Sequence, residues 1–340
     1  MTDKPILITG LSGFIAKQCA LELLKHGYSV RGTVRRMAKA DEARATLAKY
    51  CDTTKLTAVE ADLLSDAGWA DAMEGVGGVL HVASPFPTGE PKDPDELLRP
   101  AVDGTLRVLR AAVAAGVPRV VQTSSMVAVI GGHQHKRTKP FDEDDWTDAD
   151  APGITAYYRS KTLAEKAARD FVSTTGTSLH FSTVNPGFVL GPVLDNDIGT
   201  SAEVIQMLLR GKYPGTPRIH FAVVDVRDVA KMHRLALESA EPSGGRYVAV
   251  SEALRFLDIA LPIRRELGRA ARKVPSRELP DFLIRLIALF DPTARTILPD
   301  LGFKFRVDNS RTRRALKMEF IPVAESAPAM ASSLIQLSLV

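Results

Sequence analysis

Three side chains in this sequence have the types and the places needed to move a proton. They are Ser125 at the end of "VVQTSS", and Tyr157 and Lys161 in "TAYYRSKTLAEKAARDF". A phenol with its ordinary pKa of about 10 is a poor acid–base group at neutral pH. An ammonium beside it stabilises the phenolate and makes a usable proton shuttle. Tyr157 and Lys161 are four residues apart, so a helix here puts both on one face, while Tyr158 and Thr162 share another. A packed ring beside a snorkelling lysine also has this spacing, and the pair alone decides nothing. Ser124 and Ser125 close a buried-strand pattern, where a hydroxyl can donate to a carbonyl oxygen and steady the charge growing on it.

The N-terminus offers a place for a dinucleotide. "ITGLSGFIA" sets Gly10 and Gly13 between an apolar strand and an amphipathic helix. Glycine permits the tight turn and the close approach of a pyrophosphate, and the first helical turn offers free N–H groups and a positive dipole end. The pattern is G-x-x-G-x-x-A, with Ala16 in the third place. A plain strand-to-helix turn is the other reading. The next strand ends "GTVRRMAK", where a site for NAD would carry an acid for the ribose hydroxyls. Arg35, Arg36 and Lys39 stand there instead, and a guanidinium suits the extra phosphate of NADP. Solvated surface charges are the alternative. Asp62, after the third strand, suits either the adenine amino group or the cap of the next helix.

These residues need a frame, and the chain supplies one. "PILITG", "YSVRGTV", "KLTAVEADL", "GGVLHVAS", "PRVVQTSS" and "LHFSTVNPG" are apolar strand runs, and helix-period segments alternate with them. That rhythm predicts an α/β fold with a doubly wound parallel sheet, helices on both faces and a ligand crevice at the C-terminal strand ends. After Gly187 the rhythm changes to shorter, proline-interrupted segments. The expected organisation is a Rossmann domain over 1–187, a smaller C-terminal substrate-binding domain over 188–330, and a tail over 331–340 free to be flexible. The 219–250 region is a candidate to join the larger domain.

With the segments in place, the sequence resembles the extended short-chain dehydrogenase/reductases, and within them the dihydroflavonol reductase-like aldehyde and ketone reductases. "TGLSGFIA", "HVASP", "AVDGTLRVLRAA", "VVQTSSMVAV", "AYYRSKTLAEKAA", "NPGFVLGP", "DVRDVA" and "GRYVAVS" carry the resemblance from about Ile6 to Val250. It implies that Ser125, Tyr157 and Lys161 are catalytic, with Ser124 beside them as a cofactor contact. It implies a dinucleotide path along Gly10, Ser12, Gly13, Phe14, Ile15, Arg35, Asp62, Leu63, Val82, Ala83 and Ser84, then Pro186 and Val189, with Ser201 a weaker match; Lys39, close behind Arg35 in sequence, is a further cofactor-binding candidate. NADP is the implied cofactor. The expected pocket walls are Ser84, Phe86, Met126, Ile130 and Phe188. Ile130 stands where plant dihydroflavonol reductases carry an Asn or Asp, which argues against a flavonoid substrate. Met126 and Val127 stand where family dehydratases need an acid.

Composition adds bounds. The chain has 340 residues, 45% apolar and 25% charged, and a net charge of +4, as an ordinary soluble domain does. The basic residues are not concentrated as nucleic-acid binding requires. Two cysteines give neither a disulfide framework nor a metal spacing, and a reducing cytoplasm is expected. "FLIRLIALF" is too short for a bilayer and is broken by Arg285. His133 and His135 in a polar loop, the acidic run "DEDDWTDAD" and the basic "RTRRALK" read as solvated segments rather than metal, calcium or nucleic-acid sites. The expected activity is NADPH-dependent reduction of a small carbonyl compound by a monomer or homodimer. A nucleotide-sugar epimerase with retained NAD and a non-catalytic NADP-binding sensor are the alternatives.

Overall fold

The computed structural model describes residues 4–84, 93, 95–133, 137–241, 243–290, 295 and 297–340. Its strands are β1 (Ile6–Ile8), β2 (Val30–Val34), β3 (Leu56–Glu60), β4 (Gly78–His81), β5 (Arg119–Thr123), β6 (His180–Pro186), β7 (Phe188–Leu190), β8 (His220–Asp225), β9 (Arg246–Ala249) and β10 (Glu252–Arg255). Seven of them form one sheet in the order β3-β2-β1-β4-β5-β6-β9, and every neighbouring pair is parallel. The order reverses at β1 and β4, which makes the crevice at their carboxyl ends the ligand position of a doubly wound sheet. β7, β8 and β10 form a second, small sheet.

Helices cover both faces of the large sheet, which is why its strands read as unbroken apolar runs rather than alternating ones. On one face α1 (Phe14–Lys25), α2 (Met37–Leu47) and α8 (Val226–Glu238) bury Cys19, Ala20, Leu23, Leu47, Val229 and Met232 against β1 and β2. On the other, α3 (Trp69–Met73), α4 (Asp95–Ala114) and α6 (Ala156–Thr174) bury Trp69, Val108, Leu109 and Ala168 against β4 and β5. Local signals set the helix ends. Gly27 takes a left-handed φ of 84° just past α1, and the Thr155 hydroxyl accepts from Tyr158 N at the start of α6.

The short helix α5 (Val127–Ile130) follows β5. α7 (Thr200–Arg210), α9 (Phe256–Leu267) and α10 (Asp281–Ile287) build the smaller unit around a core that includes Ile205, Leu208, Ile259 and Ile284. α10 is the "FLIRLIALF" segment. Its Ile284 is buried while Phe282 and Leu286 stay exposed. The chain does not divide cleanly at residue 187. After β7 and β8 it returns to the large unit, where α8 packs on α1 and β9 pairs with β6. α11 (Ser310–Leu316) lies against β9 and α8.

The C-terminal segment differs from the flexible tail expected for 331–340. Val323–Gln336 is a helix, α12, whose Val323, Ala327, Met330, Ala331 and Leu334 fill the smaller core. Pro328 and the serines of "ESAPAMASSLIQLSLV" hide its helical period, but burial of that stripe holds it in place. Leu334→Ala should therefore cost about 2–5 kcal/mol, as large-to-small changes at filled core sites do. Urea unfolding measures this, and an unchanged midpoint would show that the helix is not docked.

Candidate active site

The crevice is built first from backbone approach. Gly10 follows β1 with φ 69°, and a Cβ placed there would stand 2.9 Å from the Ala83 Cβ after β4. Only glycine lets the two strand ends come this close. Polar side chains beneath lock the approach. Gly10 N donates to Thr33 Oγ1 at 3.0 Å, and Ala83 N donates to Thr9 Oγ1 at 2.9 Å. Thr9 Oγ1 is also 3.0 Å from His81 Nδ1. Burial pushes the His81 imidazole down to about 3, and the nearby Lys161 charge adds to that, so His81 is neutral.

α1 starts at this turn with Gly13 as its cap residue, no side-chain cap and no acid in its first turn. Its N-terminal amides and positive dipole end are open to an anion, which is the fit a pyrophosphate requires. Ser12, Phe14 and Ile15 line the turn and are half-buried. Lys17, almost fully buried, pairs with Asp195, whose other oxygen accepts from Thr46 Oγ1 at 3.0 Å. This clasp fastens the segment after β7 onto α1 and was not visible in any local pattern.

At the end of β2, Arg35 and Arg36 are exposed. Lys39 sits on α2 and pairs with Glu42 at 2.6 Å. Glu60 accepts from Met37 N at 2.7 Å, so the first amide of α2 is already engaged. Asp62 caps no helix, because Gly68 precedes α3. Its carboxylate closes a turn by accepting from Leu64 N at 3.0 Å, and Leu63 O accepts from Arg107. Val82, Ala83 and Ser84 follow β4 and are half-buried.

Tyr157 and Lys161 lie in the first turns of α6, and the Tyr157 and Ser125 side chains share a hydrogen bond. Ser125 also lies 3.4 Å from Pro186 O at the end of β6. The pair therefore sits at the carboxyl ends of β5 and β6. Lys161 has no carboxylate partner among the described residues, and burial draws it down to about 8. Burial likewise pushes Tyr157 up to about 12, against the pull of its bond to Ser125. Burial thus holds the phenol protonated at neutral pH. Tyr158 is a different case. Burial raises it too, with Asp300 and Tyr157 adding to the effect, and its ring packs where a Gly131 Cβ would stand.

Several expected contacts fall elsewhere. The Ser124 hydroxyl points away from the crevice and donates to Glu165 Oε2 at 2.5 Å. Ser201 Oγ donates to the Val189 carbonyl, and Val189 itself is buried. Met126 is 2% exposed and packs with Val129, Phe141, Val248 and Phe303, so it is core rather than wall. Ile130 packs against that cluster, and Phe188 is half-buried with its ring 4.7 Å from that of Phe221. Phe86 and His135 lie outside the described residues. His133 Nε2 is 2.9 Å from Trp146 O. No group of three or more potential metal ligands occurs among the described residues.

The acidic and basic runs meet in a surface pair, and most of their charged side chains stay exposed. Asp144 binds Arg311, and buried Glu143 accepts from Thr312 N and Oγ1 at 3.0 and 2.7 Å. Behind Ser124 lies the main feature that the sequence reading missed. Glu165 is fully buried and held by Arg246 at 2.7 Å, Arg169 at 3.2 Å and Asn185 Nδ2 at 2.7 Å. Burial pushes its carboxyl up, but Arg246 and Arg169 outweigh this and hold it below the usual range. One signal was available, since residues 157, 161 and 165 are spaced four apart along one helix face.

A doubly wound sheet with a glycine turn at its switch point and a Tyr–Lys helix beside it defines a nucleotide-dependent α/β enzyme architecture. The chain belongs to the NAD dependent epimerase/dehydratase family, whose model matches residues 6–249. It is 33% identical over 335 residues to the ketoreductase azaE of Aspergillus niger, covering 93% of each chain. It is 31% identical over 345 residues to a dihydroflavonol 4-reductase of Zea mays, covering 95% of this chain and 91% of that one. Its fold matches yeast methylglyoxal/isovaleraldehyde reductase Gre2, solved as a complex with NADPH, with a TM-score of 0.82 and 26% identity over 98% of this chain and 99% of the other. No helix among the described residues is long and apolar enough to cross a membrane.

Gly10→Ala is expected to destabilise the fold by about 1–3 kcal/mol through its left-handed backbone and the meeting with Ala83. It should also weaken dinucleotide binding. Thermal unfolding and a fluorescence titration measure the two effects, and wild-type values in both would contradict the crowded turn.

Proposed function

We propose that this oxidoreductase reduces an aldehyde or ketone with NADPH. The observation that carries the reading is the Tyr157–Ser125 hydrogen bond at the strand ends, on the same helix as a buried lysine and beside the open N-terminus of α1. When bound, NADPH supplies the hydride. The Gly10–Gly13 turn and the first turn of α1 hold the pyrophosphate, with Phe14 and Ile15 at its side. Arg35 grips the extra phosphate by side chain, since Glu60 already holds the first amide of α2. Asp62 and Leu63 flank the adenine. Ser84 and Pro186 would border the nicotinamide end.

Ser125 donates to the carbonyl oxygen and Tyr157 gives it a proton as it becomes an alcohol. Tyr157 is protonated at neutral pH, so the proton that this direction needs is in place, and its release depends on a neighbouring cation to stabilise the phenolate. Lys161 stabilises the phenolate left behind and reaches the ribose. The relatives named as a ketoreductase and a methylglyoxal/isovaleraldehyde reductase support a carbonyl substrate. Arg35 and Arg36, where an acid for the NAD ribose would stand, weigh against an epimerase with retained NAD.

Tyr157→Phe should lose nearly all turnover in an assay of NADPH loss with an aldehyde and ketone panel, while NADPH binding persists. A variant turning over at the parent rate would remove Tyr157 from the reaction. Lys161 is charged below its pKa of about 8 and neutral above it. Carbonyl reduction should therefore fall as pH rises through about 8, and a flat profile across that range would deny the lysine its role. Arg35→Ala should raise the KM for NADPH and leave that for NADH unchanged. Equal changes for both would remove Arg35 from the phosphate.

A further inference from the structure

The buried acid on the active-site helix has no part in the reaction just described, yet its partners surround the reacting serine. Glu165 lies one helical turn past Lys161 and is fully buried. One of its oxygens accepts from Ser124 Oγ at 2.5 Å and from Asn185 Nδ2 at 2.7 Å. Asn185 Nδ2 is also 3.3 Å from the Ser125 carbonyl. The Thr183 hydroxyl lies 3.2 Å from the other oxygen. Both neighbours of the Ser125 backbone are thus tied to the helix that carries Tyr157.

Arg246, on β9, extends the arrangement. It binds Glu165 at 2.7 Å and donates to Ala128 O and Glu143 O at 3.1 Å each, and to Asp145 O. Its guanidinium stacks 3.8 Å from the centre of the Trp146 ring. Ala128 follows Ser125 in α5, and residues 143–146 belong to the long loop after it. A single planar cation therefore joins the helix of Tyr157 to the segment that leaves Ser125. Arg169 adds a second ion pair from the same helix.

We propose that Glu165 is a positioning residue that, through Ser124, Asn185 and Arg246, sets the place of the Ser125 hydroxyl against Tyr157. This rests on the function proposed above. The fixed distance between the two hydroxyls is what the reaction needs, because a small misplacement of a reacting group can cost about a hundredfold in rate. The titratable groups around Tyr157 are Tyr158 and Lys161 on its own helix, with His81 of β4 beyond Lys161 and Asp300 beyond Tyr158. Glu165 is faced by Arg169 from its own helix and Arg246 from β9, with uncharged donors from β6 and the end of β5. It acts on Tyr157 by way of Ser125, whose bond lowers the phenol's pKa.

The test compares Glu165→Gln with Ser125→Ala and Tyr157→Phe, in carbonyl reduction and in the reverse alcohol oxidation. Glu165→Gln should lower kcat by about ten- to a hundredfold, with the KM values for NADPH and carbonyl unchanged. Alcohol oxidation needs the phenolate, so with NADP+ bound its rate rises with pH as the phenol ionises beside Lys161. A displaced Ser125 raises the phenol's pKa, and the rising limb should move to higher pH in Glu165→Gln. Loss of rate without movement of the limb, or an unchanged kcat, overturns the proposal. If Glu165→Gln fails to fold, Ser124→Ala removes one of the linking bonds and should move the limb the same way by less. An unmoved limb there overturns the proposal as well. Full turnover by Tyr157→Phe and Ser125→Ala would instead overturn the proposed function. Their inactivity beside an unaffected Glu165→Gln would sink this inference alone.

Discussion

A carboxylate with no exposed surface is the constraint around which the catalytic half of this molecule is arranged. Taking Glu165 out of water costs several kcal/mol unless charges and donors surround it. Two arginines, a serine and an asparagine do so, and a threonine hydroxyl lies close by. They come from β9, the end of β5, β6 and α6 itself. No one of these elements can shift without leaving part of the charge unmatched. The carboxylate therefore acts as a registration point for four elements, and Ser125 and Tyr157 are mounted on two of them.

The dinucleotide end of the crevice is organised by a different economy of groups. There the strand ends meet through Gly10 and Ala83, and neutral partners, Thr9, Thr33 and His81, hold the meeting. Placing charge beneath this turn would compete with the anion above it. The amides of α1 stay available because no acid precedes them. One end of the crevice is thus stiffened by ions and the other by hydroxyls. That division fits the proposed function, in which one end attracts phosphate and the other steadies a growing oxyanion.

Much of the frame was legible because its signals are local. The apolar strand runs, the Gly10–Gly13 turn and the Tyr157–Lys161 spacing each lie within a few residues and follow from backbone geometry alone. The parallel, doubly wound sheet agrees with that reading, and β9 joins it as a seventh strand. The remainder depended on partners far away in the chain. Nothing near Glu165 announces Arg246, and nothing near Asp144 announces Arg311. Ser124 and Met126 flank Ser125 in sequence, yet strand alternation and core packing turn them inward. The buried α12 was hidden by a proline and by serines, and only the smaller core's need for Met330 and Leu334 explains it.

The path of the chain has its own consequence. It leaves the large sheet after β6, builds β7 and β8, returns for α8 and β9, and departs again through β10. The two lobes are thus laced by several crossings instead of being hung on one hinge. A swing of one lobe against the other would have to bend all of those crossings together. Cutting the chain at residue 187 would accordingly strip α8 and β9 from the large sheet and leave the face that α8 covers bare.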